Sequence, residues 1–453
     1  MTRRHFLSAA AAWPAAAART RKPNIIVILA DDLGYSDLGV YGGRQAATPH
    51  IDSLAHNGVR FTNAYVSGPY CSPTRAGLLT GRYQQRFGHE FNAHTSKAFF
   101  DAGGTTENLG LPVTETTIAD RMREAGYATG AIGKWHLGAA PQFHPNKRGF
   151  DEYVGFLGGA REYFPAGRGG VGPVEIERNG APVQWDGYLT DLFGREAADF
   201  VARHRAHPFF LYVAFNAVHT PMQAEDRRLK KHEQIADTRR RTYVAMLESM
   251  DDAVGTILAK VRESGLEQDT LIFFLSDNGG PTNKYAVNGS SNHPLRGSKG
   301  DTWEGGIRVP MLAQWKGRLR AGTQYDEPVI QLDISATAAS LGAGRLRREW
   351  KFDGADLIPY LTGSRSNSPH RALYWRFGDL MAIRMGDWKA VRTWDNQQPE
   401  LYNLARDIGE RSNLASAEPA RLERLMKEWR AWNKTLAPPA WPRPEITPPP
   451  VQK

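Results

Sequence analysis

Three uninterrupted apolar runs, at 24–30, 208–215 and 271–275, constrain this chain more than any other feature. Each is rich in β-branched or aromatic residues and none alternates with polar ones. Such runs read as strands covered on both faces, the mark of a parallel sheet layered with helices. The segments between them have helical character. Along 242–263, Val244, Leu247, Val254, Ile257, Leu258 and Val261 recur on one side, and Gly265 marks the stop. Further helices are expected at 115–126, 188–205 and 333–341, and further strands at 59–64, 127–132 and 311–315. Strand–helix alternation of this kind predicts an α/β fold.

Past residue 346 the pattern changes. Segments 372–376, 380–384, 388–393 and 400–404 are short, turn-separated strands of an antiparallel sheet. Leu422, Leu425, Met426, Trp429 and Trp432 lie on one face of a helix able to cover it. The expected architecture is therefore an α/β/α sandwich with a mostly parallel central sheet, plus a smaller C-terminal α+β domain with an antiparallel sheet.

Four of the expected strands run directly into residues with chemistry to offer. Asp31-Asp32 follow the first, Lys134 and His136 the strand at 127–132, His219 the one at 208–215, and Asp277-Asn278 the one at 271–275. Singly, each has an ordinary structural reading. Asp31-Asp32 suits an Asx turn and helix cap, Asp277-Asn278-Gly279 a tight turn, His219 a packing role, and Lys134 a solvated one. Lys134 and His136, two apart, would project to one side of an extended backbone. Together they are better explained by one site, because parallel α/β sheets gather their sites beyond the carboxyl ends of the strands. Asp31, Asp32, Asp277 and Asn278 would then form an all-oxygen set suited to a hard cation such as Ca²⁺ or Mg²⁺. Arg75, Lys134, His136, His219 and Lys299 would supply positive and proton-transferring surroundings.

The chain has one cysteine, so internal disulfides and Cys-built zinc sites are excluded. It stands in Cys71-Ser72-Pro73-Thr74-Arg75, followed by Leu79-Thr80-Gly81-Arg82. Pro73 suits a first helical turn and Gly81 the residue after a helix end, which predicts a helix over 72–80 with Cys71 at its positive pole. From these residues alone Cys71 is a candidate low-pKa nucleophile, a small buried residue, or part of a phosphatase-type thiolate loop.

Cys-x-Pro-x-Arg with a Leu-Thr-Gly-Arg tail resembles the signature of the formylglycine-dependent sulfatases. The resemblance runs along nearly the whole chain past its N-terminal segment. Lys134-Trp135-His136-Leu137-Gly138, Pro141-Gln142-Phe143-His144-Pro145 and Gly149-Phe150-Asp151-Glu152 are similar to arylsulfatases and N-acetylgalactosamine-6-sulfatase-like enzymes. It implies an alkaline-phosphatase-like fold, and oxidation of Cys71 to formylglycine by a separate formylglycine-generating enzyme. It implies one divalent metal on Asp31, Asp32, Asp277, Asn278 and the modified residue 71. Arg75, Lys134, His136, His219 and Lys299 fall on the family's polar catalytic positions. The implied reaction is removal of sulfate from a sulfated saccharide or aryl sulfate. The alternatives are a phosphodiester or phosphonate hydrolase of the same superfamily, and a sulfated-glycan-binding protein that never matures Cys71.

The N-terminus adds a location. Thr2-Arg3-Arg4-His5-Phe6-Leu7 followed by an Ala-rich stretch reads as a twin-arginine export signal over 1–20, which predicts a periplasmic or secreted protein. That apolar stretch is too short to span a bilayer. Residues 21–345 would form the catalytic domain, 346–437 the antiparallel sheet and helix, and 438–453 a Pro-rich tail. Net charge is +9, spread along the chain and without a nucleic-acid-binding motif, so polyanionic substrates are favoured over nucleic acid. Loops 92–112, 156–186 and 282–294 are expected to shape the sugar pocket. The basic run 225–241 reads as a solvated helix or loop, with steering of polyanions toward the site as the lesser alternative.

Overall fold

The computed structural model describes residues 22–93, 105–165, 175–283, 286–394, 396 and 398–443. The expected signal segment and most of the Pro-rich tail lie outside them, as do parts of the three loops.

The described residues form sixteen strands, numbered in chain order. The large sheet takes β1 (Asn24–Ala30), β2 (Val59–Phe61), β4 (Ala128–Lys134), β5 (Glu152–Phe156), β6 (Glu177–Arg178), β7 (Ala181–Pro182), β8 (Phe209–Ala214), β9 (Thr270–Ser276), β10 (Met311–Gln314) and β11 (Thr323–Tyr325). Its spatial order is β11-β2-β10-β9-β1-β8-β4-β5-β6-β7. The centre, β9-β1-β8-β4-β5, is parallel throughout. On one side β10 enters antiparallel to both β9 and β2. The segment expected as one strand at 59–64 is split. Its second part, β3 (Ala64–Tyr65), pairs in parallel with β12 (Val329–Ile330).

Successive side chains of a strand point to opposite faces, and β1 shows the consequence. Ile26, Ile28 and Ala30 join one core, packed under helices Pro49–His56, Leu189–Arg203 and Thr238–Glu263. Ile25, Val27 and Leu29 join the other, under helices Cys71–Thr80, Ile118–Glu124 and Leu332–Ala343. Two helical layers therefore enclose a sheet buried on both faces, which is why its central strands carry no polar alternation.

A second sheet, β13 (Leu373–Phe377), β14 (Leu380–Met385), β15 (Trp388–Arg392) and β16 (Glu400–Asn403), is antiparallel in sequential order. Leu425, Trp429 and Trp432 of helix Pro419–Asn433 cover it, and its core continues into Tyr65, Trp303 and Leu332 of the larger body. Leu357 belongs instead to the core of the central sheet, and Trp350 and Phe352 pack against that core. Between the two sheets Lys389 is fully buried, with Nζ 2.9 Å from Glu304 and 2.8 Å from Glu410. Among the described residues, no helix is long and apolar enough to cross a membrane.

Candidate active site

The sheet order sets the site. β1 and β9 are neighbours, so Asp31-Asp32 and Asp277-Asn278 leave the sheet side by side. Backbone pairing continues past the strand ends: Asp277 N–H donates to Ala30 at 3.0 Å, and Asp31 N–H to Ala217 at 2.9 Å. The latter brings the loop after β8, which carries His219, against Asp31. Beyond β8 lies β4, which ends on Lys134. Gly133 permits the close packing there, since at φ +106° a Cβ would strike the Ala214 carbonyl.

Cys71 is the first residue of its helix rather than the residue before it; Tyr70, extended at φ −144°, precedes it, and Gly81 closes the helix at φ +66°. All ten residues of that helix are buried. Cys71 Sγ lies 3.5 Å from Asp31 Oδ1. One turn on, Arg75 donates through Nε and Nη2 to Asp277 Oδ2 at 3.1 and 2.8 Å, and through Nη1 to the Lys134 carbonyl at 3.1 Å. Lys134 Nζ reaches Asp31 Oδ2 at 2.5 Å. Lys299 Nζ sits 2.7 and 2.9 Å from the two oxygens of Asp32, and His219 Nε2 is 3.6 Å from Asp32 Oδ2.

Three buried carboxylates thus face three buried cations, with His219 at the exposed edge of the cluster. Burial alone would raise Asp31 and Asp32. Lys134, His219 and Arg75 outweigh it at Asp31, and Lys299 and His219 at Asp32, so both are held below the ordinary carboxylate range. Burial pushes the Cys71 thiol up to about 12 despite Lys134 and Lys299. Burial lowers His219, with Asp31 and Asp32 opposing, and lowers His136 further, with Lys134 and Arg75 adding to the effect.

The donor set fits a hard cation. Asp31, Asp32, Cys71 and Asp277 each place a ligand atom within 4.8 Å of the others'. Asn278 spends its Nδ2 on Asp32 Oδ1 at 2.7 Å and the Gly279 carbonyl at 3.0 Å, while its buried Oδ1 has no partner. An amide oxygen buried in this way is costly unless something electropositive meets it. His50, Asp251 and Asp252 form another grouping, but Asp251 is spent on the His50 and Ile51 N–H groups at a helix start.

Nine of the ten sequence-derived residues therefore meet in one bonded cluster. His136 joins differently from the expectation. β4 stops at Lys134 and His136 takes a left-handed φ of +58°, so the two do not project together from extended backbone. Its main chain bonds to Leu157, Gly159 packs against its ring, and its buried Nδ1 has no partner. Asp32, at φ +62°, is the other non-glycine residue in this region with a left-handed backbone. The basic run 225–241 is largely exposed, as expected of a solvated segment, and part of its charge is paired. Arg228 pairs with Glu225 and Asp252, Lys231 with Glu248, and Arg240 with Asp37.

Two supporting residues were not foreseen. Asn288 Nδ2 bonds the Asp32 and Val218 carbonyls at 3.1 and 3.0 Å, tying the two loops together. Tyr163 donates to the carbonyls of Asn216 and His219 at 2.6 and 2.8 Å. Both lie in the loops expected to line the pocket, but no local pattern singles them out.

Residues 23–344 match the family model described as Sulfatase. The chain belongs to the sulfatase family. It is 34% identical to the N-acetylgalactosamine-6-sulfatase of Sus scrofa over 89% of this chain and 84% of that one. It is 37% identical to an arylsulfatase of Hemicentrotus pulcherrimus, covering 84% of this chain and 70% of the relative. Among solved structures it is similar to Ps i-CgsB in complex with k-i-k-neocarrahexaose, with TM-score 0.86 and 37% identity over 94% and 96% of the two chains. The protein is a sulfatase, a sulfuric ester hydrolase, and its fold is the alkaline-phosphatase-like sandwich that the resemblance implied.

Proposed function

We propose that this sulfatase removes sulfate from a sulfated carbohydrate, using residue 71 as formylglycine and one hard divalent cation, Ca²⁺ or Mg²⁺. The observation that carries the reading is the position of Cys71 Sγ against Asp31, inside the ring of oxygen ligands to which Asn278 Oδ1 adds an unpartnered acceptor. Asp31, Asp32, Asp277 and Asn278 would hold the cation, which when bound polarises sulfate oxygens and lowers the pKa of the nucleophilic hydroxyl. The charge count supports this. A divalent cation arriving with a singly charged ester and an ionised nucleophile leaves the balance of three carboxylates and three cations unchanged.

A formylglycine hydrate supplies an oxygen to attack sulfur and a second hydroxyl whose deprotonation later expels sulfate and restores the aldehyde. Arg75 and Lys134 orient that residue by fixing the carboxylates around it. His219 faces the carbonyl of Thr220 through Nδ1 at 2.6 Å, and a carbonyl can only accept. Its Nδ1 therefore carries a proton, and Nε2 is the nitrogen that exchanges one. A proton on Nε2 passes to the leaving alcohol oxygen as its bond to sulfur breaks, with the Lys299 ammonium, held beside it on Asp32, stabilising the charge that develops there. His136, kept neutral and with a partnerless Nδ1, takes the proton from the second hydroxyl.

The names of the relatives support a sulfated sugar as substrate, and the N-terminal twin-arginine pattern supports export to the periplasm or beyond. The experiment has two parts. Mass measurement of the peptide carrying residue 71 should show about 18 Da less than cysteine, for sulfur and two hydrogens lost against one oxygen gained. Sulfate release should then be scored on a panel including N-acetylgalactosamine 6-sulfate, neocarrahexaose and an aryl sulfate, beside the matching aryl phosphodiester. Faster turnover of the phosphodiester, or glycan binding without sulfate release, defeats the proposal.

A further inference from the structure

A cavity of about 750 Å³ lies on the side of the molecule away from the cluster described above. Pro23, directly before β1, borders it, whereas Asp31 directly follows β1. Trp315 borders it at the end of β10, whose antiparallel register sets Gln314 beside Ile272 near the start of β9. At about 3.3 Å per residue, the seven residues of β1 alone hold the two places roughly 20 Å apart.

Four cations line this cavity, Lys22, Arg121, Arg318 and Arg347, against one acid, Glu124. Among the described residues none of the three guanidinium groups forms an ion pair; they are held by aromatic rings instead. Arg121 and Arg347 lie 4.7 and 5.2 Å from the centre of the Trp350 ring, and Arg318 lies 5.9 Å from that of Trp315. Arg121 Nε is buried without a hydrogen-bond partner. A guanidinium near an indole ring gains a cation–π contact without using its N–H groups, which remain free to bind an anion through paired bonds. In sequence, Pro23 follows Arg19-Thr20-Arg21-Lys22, a further run of positive charge.

We infer that this cavity is a second binding site, for the sulfate groups of a polymeric sulfated carbohydrate. The inference rests on the reading of the substrate class given above. A polyanionic chain held here raises the local concentration of sulfate esters at the distant active site, while a monosaccharide cannot reach both places.

The test uses the full mature chain carrying Cys71→Ala, so that binding is read without turnover. Dextran sulfate is the probe, neutral dextran and a DNA duplex are the comparators, and a saturating sulfated monosaccharide masks the active site. The double variant Arg318→Gln/Arg347→Gln should bind dextran sulfate about tenfold more weakly, or worse, and with a shallower dependence on salt. Arg121 is left in place there because it also packs on Phe352. In the otherwise native enzyme, the same double variant should raise KM for a sulfated polysaccharide and leave kcat and KM for an aryl sulfate unchanged. Unaltered dextran sulfate affinity, equal retention of neutral dextran, or equal retention of the duplex overturns the assignment. Absence of sulfate release would instead defeat the proposed reaction and leave the binding result standing.

Discussion

Cys71 Sγ and Asp31 Oδ1 lie 3.5 Å apart across 40 residues of chain, both fully buried. The side chain at 71 has a place in the reacting cluster and a small part in the packing around it. Cys71→Ala should abolish sulfate release, by roughly a thousandfold or more, as removal of a nucleophile does. Loss of one buried sulfur should cost only about 1 kcal/mol of stability. Sulfate release and thermal unfolding, measured on the same preparation, check this. Appreciable activity in the variant would count against residue 71 as nucleophile.

The ligand set predicts dependence on a hard cation. Dialysis against a chelator should eliminate activity and lower Tm, because an ion bound only by the folded state stabilises it. Ca²⁺ or Mg²⁺ should restore both. Asp277→Asn should weaken the response and also remove the negative charge that Arg75 faces through Nε and Nη2. A chelated enzyme with full activity, or one revived only by zinc, would contradict the oxygen-ligand reading.

His219 offers Nε2 to a leaving group, so its removal should depend on how much help that group needs. His219→Ala should slow hydrolysis of a sugar sulfate by roughly 100-fold or more and hydrolysis of an activated aryl sulfate far less. Rate constants for both esters provide the measurement. Equal losses would assign His219 to positioning instead of proton donation.

His370 makes stability pH-dependent away from the active site. Burial alone would lower its pKa, but Asp333, 2.8 Å from Nε2, outweighs burial and holds it above the ordinary imidazole range. The folded state therefore keeps the proton more tightly than the unfolded one. The resulting stability is fully present below the unfolded value of about 6.5 and is lost as pH rises through the folded value. Tm of the native protein should exceed that of His370→Asn at pH 6 by more than it does at pH 9. A gap constant with pH would show that the ion pair contributes nothing.

Lys389 joins the two sheets through Glu304 and Glu410 with no solvent access. Lys389→Met leaves two acids buried without their cation, a change that costs about 3–5 kcal/mol. Denaturant unfolding should show that loss, and Lys389→Arg should recover little because the site is fully packed. A difference under about 1 kcal/mol would mean that Arg308 and Arg384 carry the charge balance around Glu304 alone.

Much of this protein is determined by its sequence read locally. The runs at β1, β8 and β9 are apolar because both of their faces are covered, so their pattern reports a parallel sheet between helices. Residues that follow such strands must emerge at one rim, which is why Asp31, Asp32, Lys134, His219, Asp277 and Asn278 could be grouped beforehand. Pro73 and Gly81 marked the helix that carries Cys71 because each answers to backbone geometry within a few residues. Only the tertiary structure decided the rest. Lys299 meets Asp32 across 267 residues, and Lys389 meets Glu304 across 85. His136 turns left-handed where extension was expected, and in the basic run at 225–241 Arg228, Lys231 and Arg240 pair with acids from elsewhere in the chain. The arginines around Trp350, scattered from 121 to 347, escaped notice altogether. Local patterns record burial and backbone conformation, whereas charge pairing depends on which distant loops the strand order brings within a few ångströms.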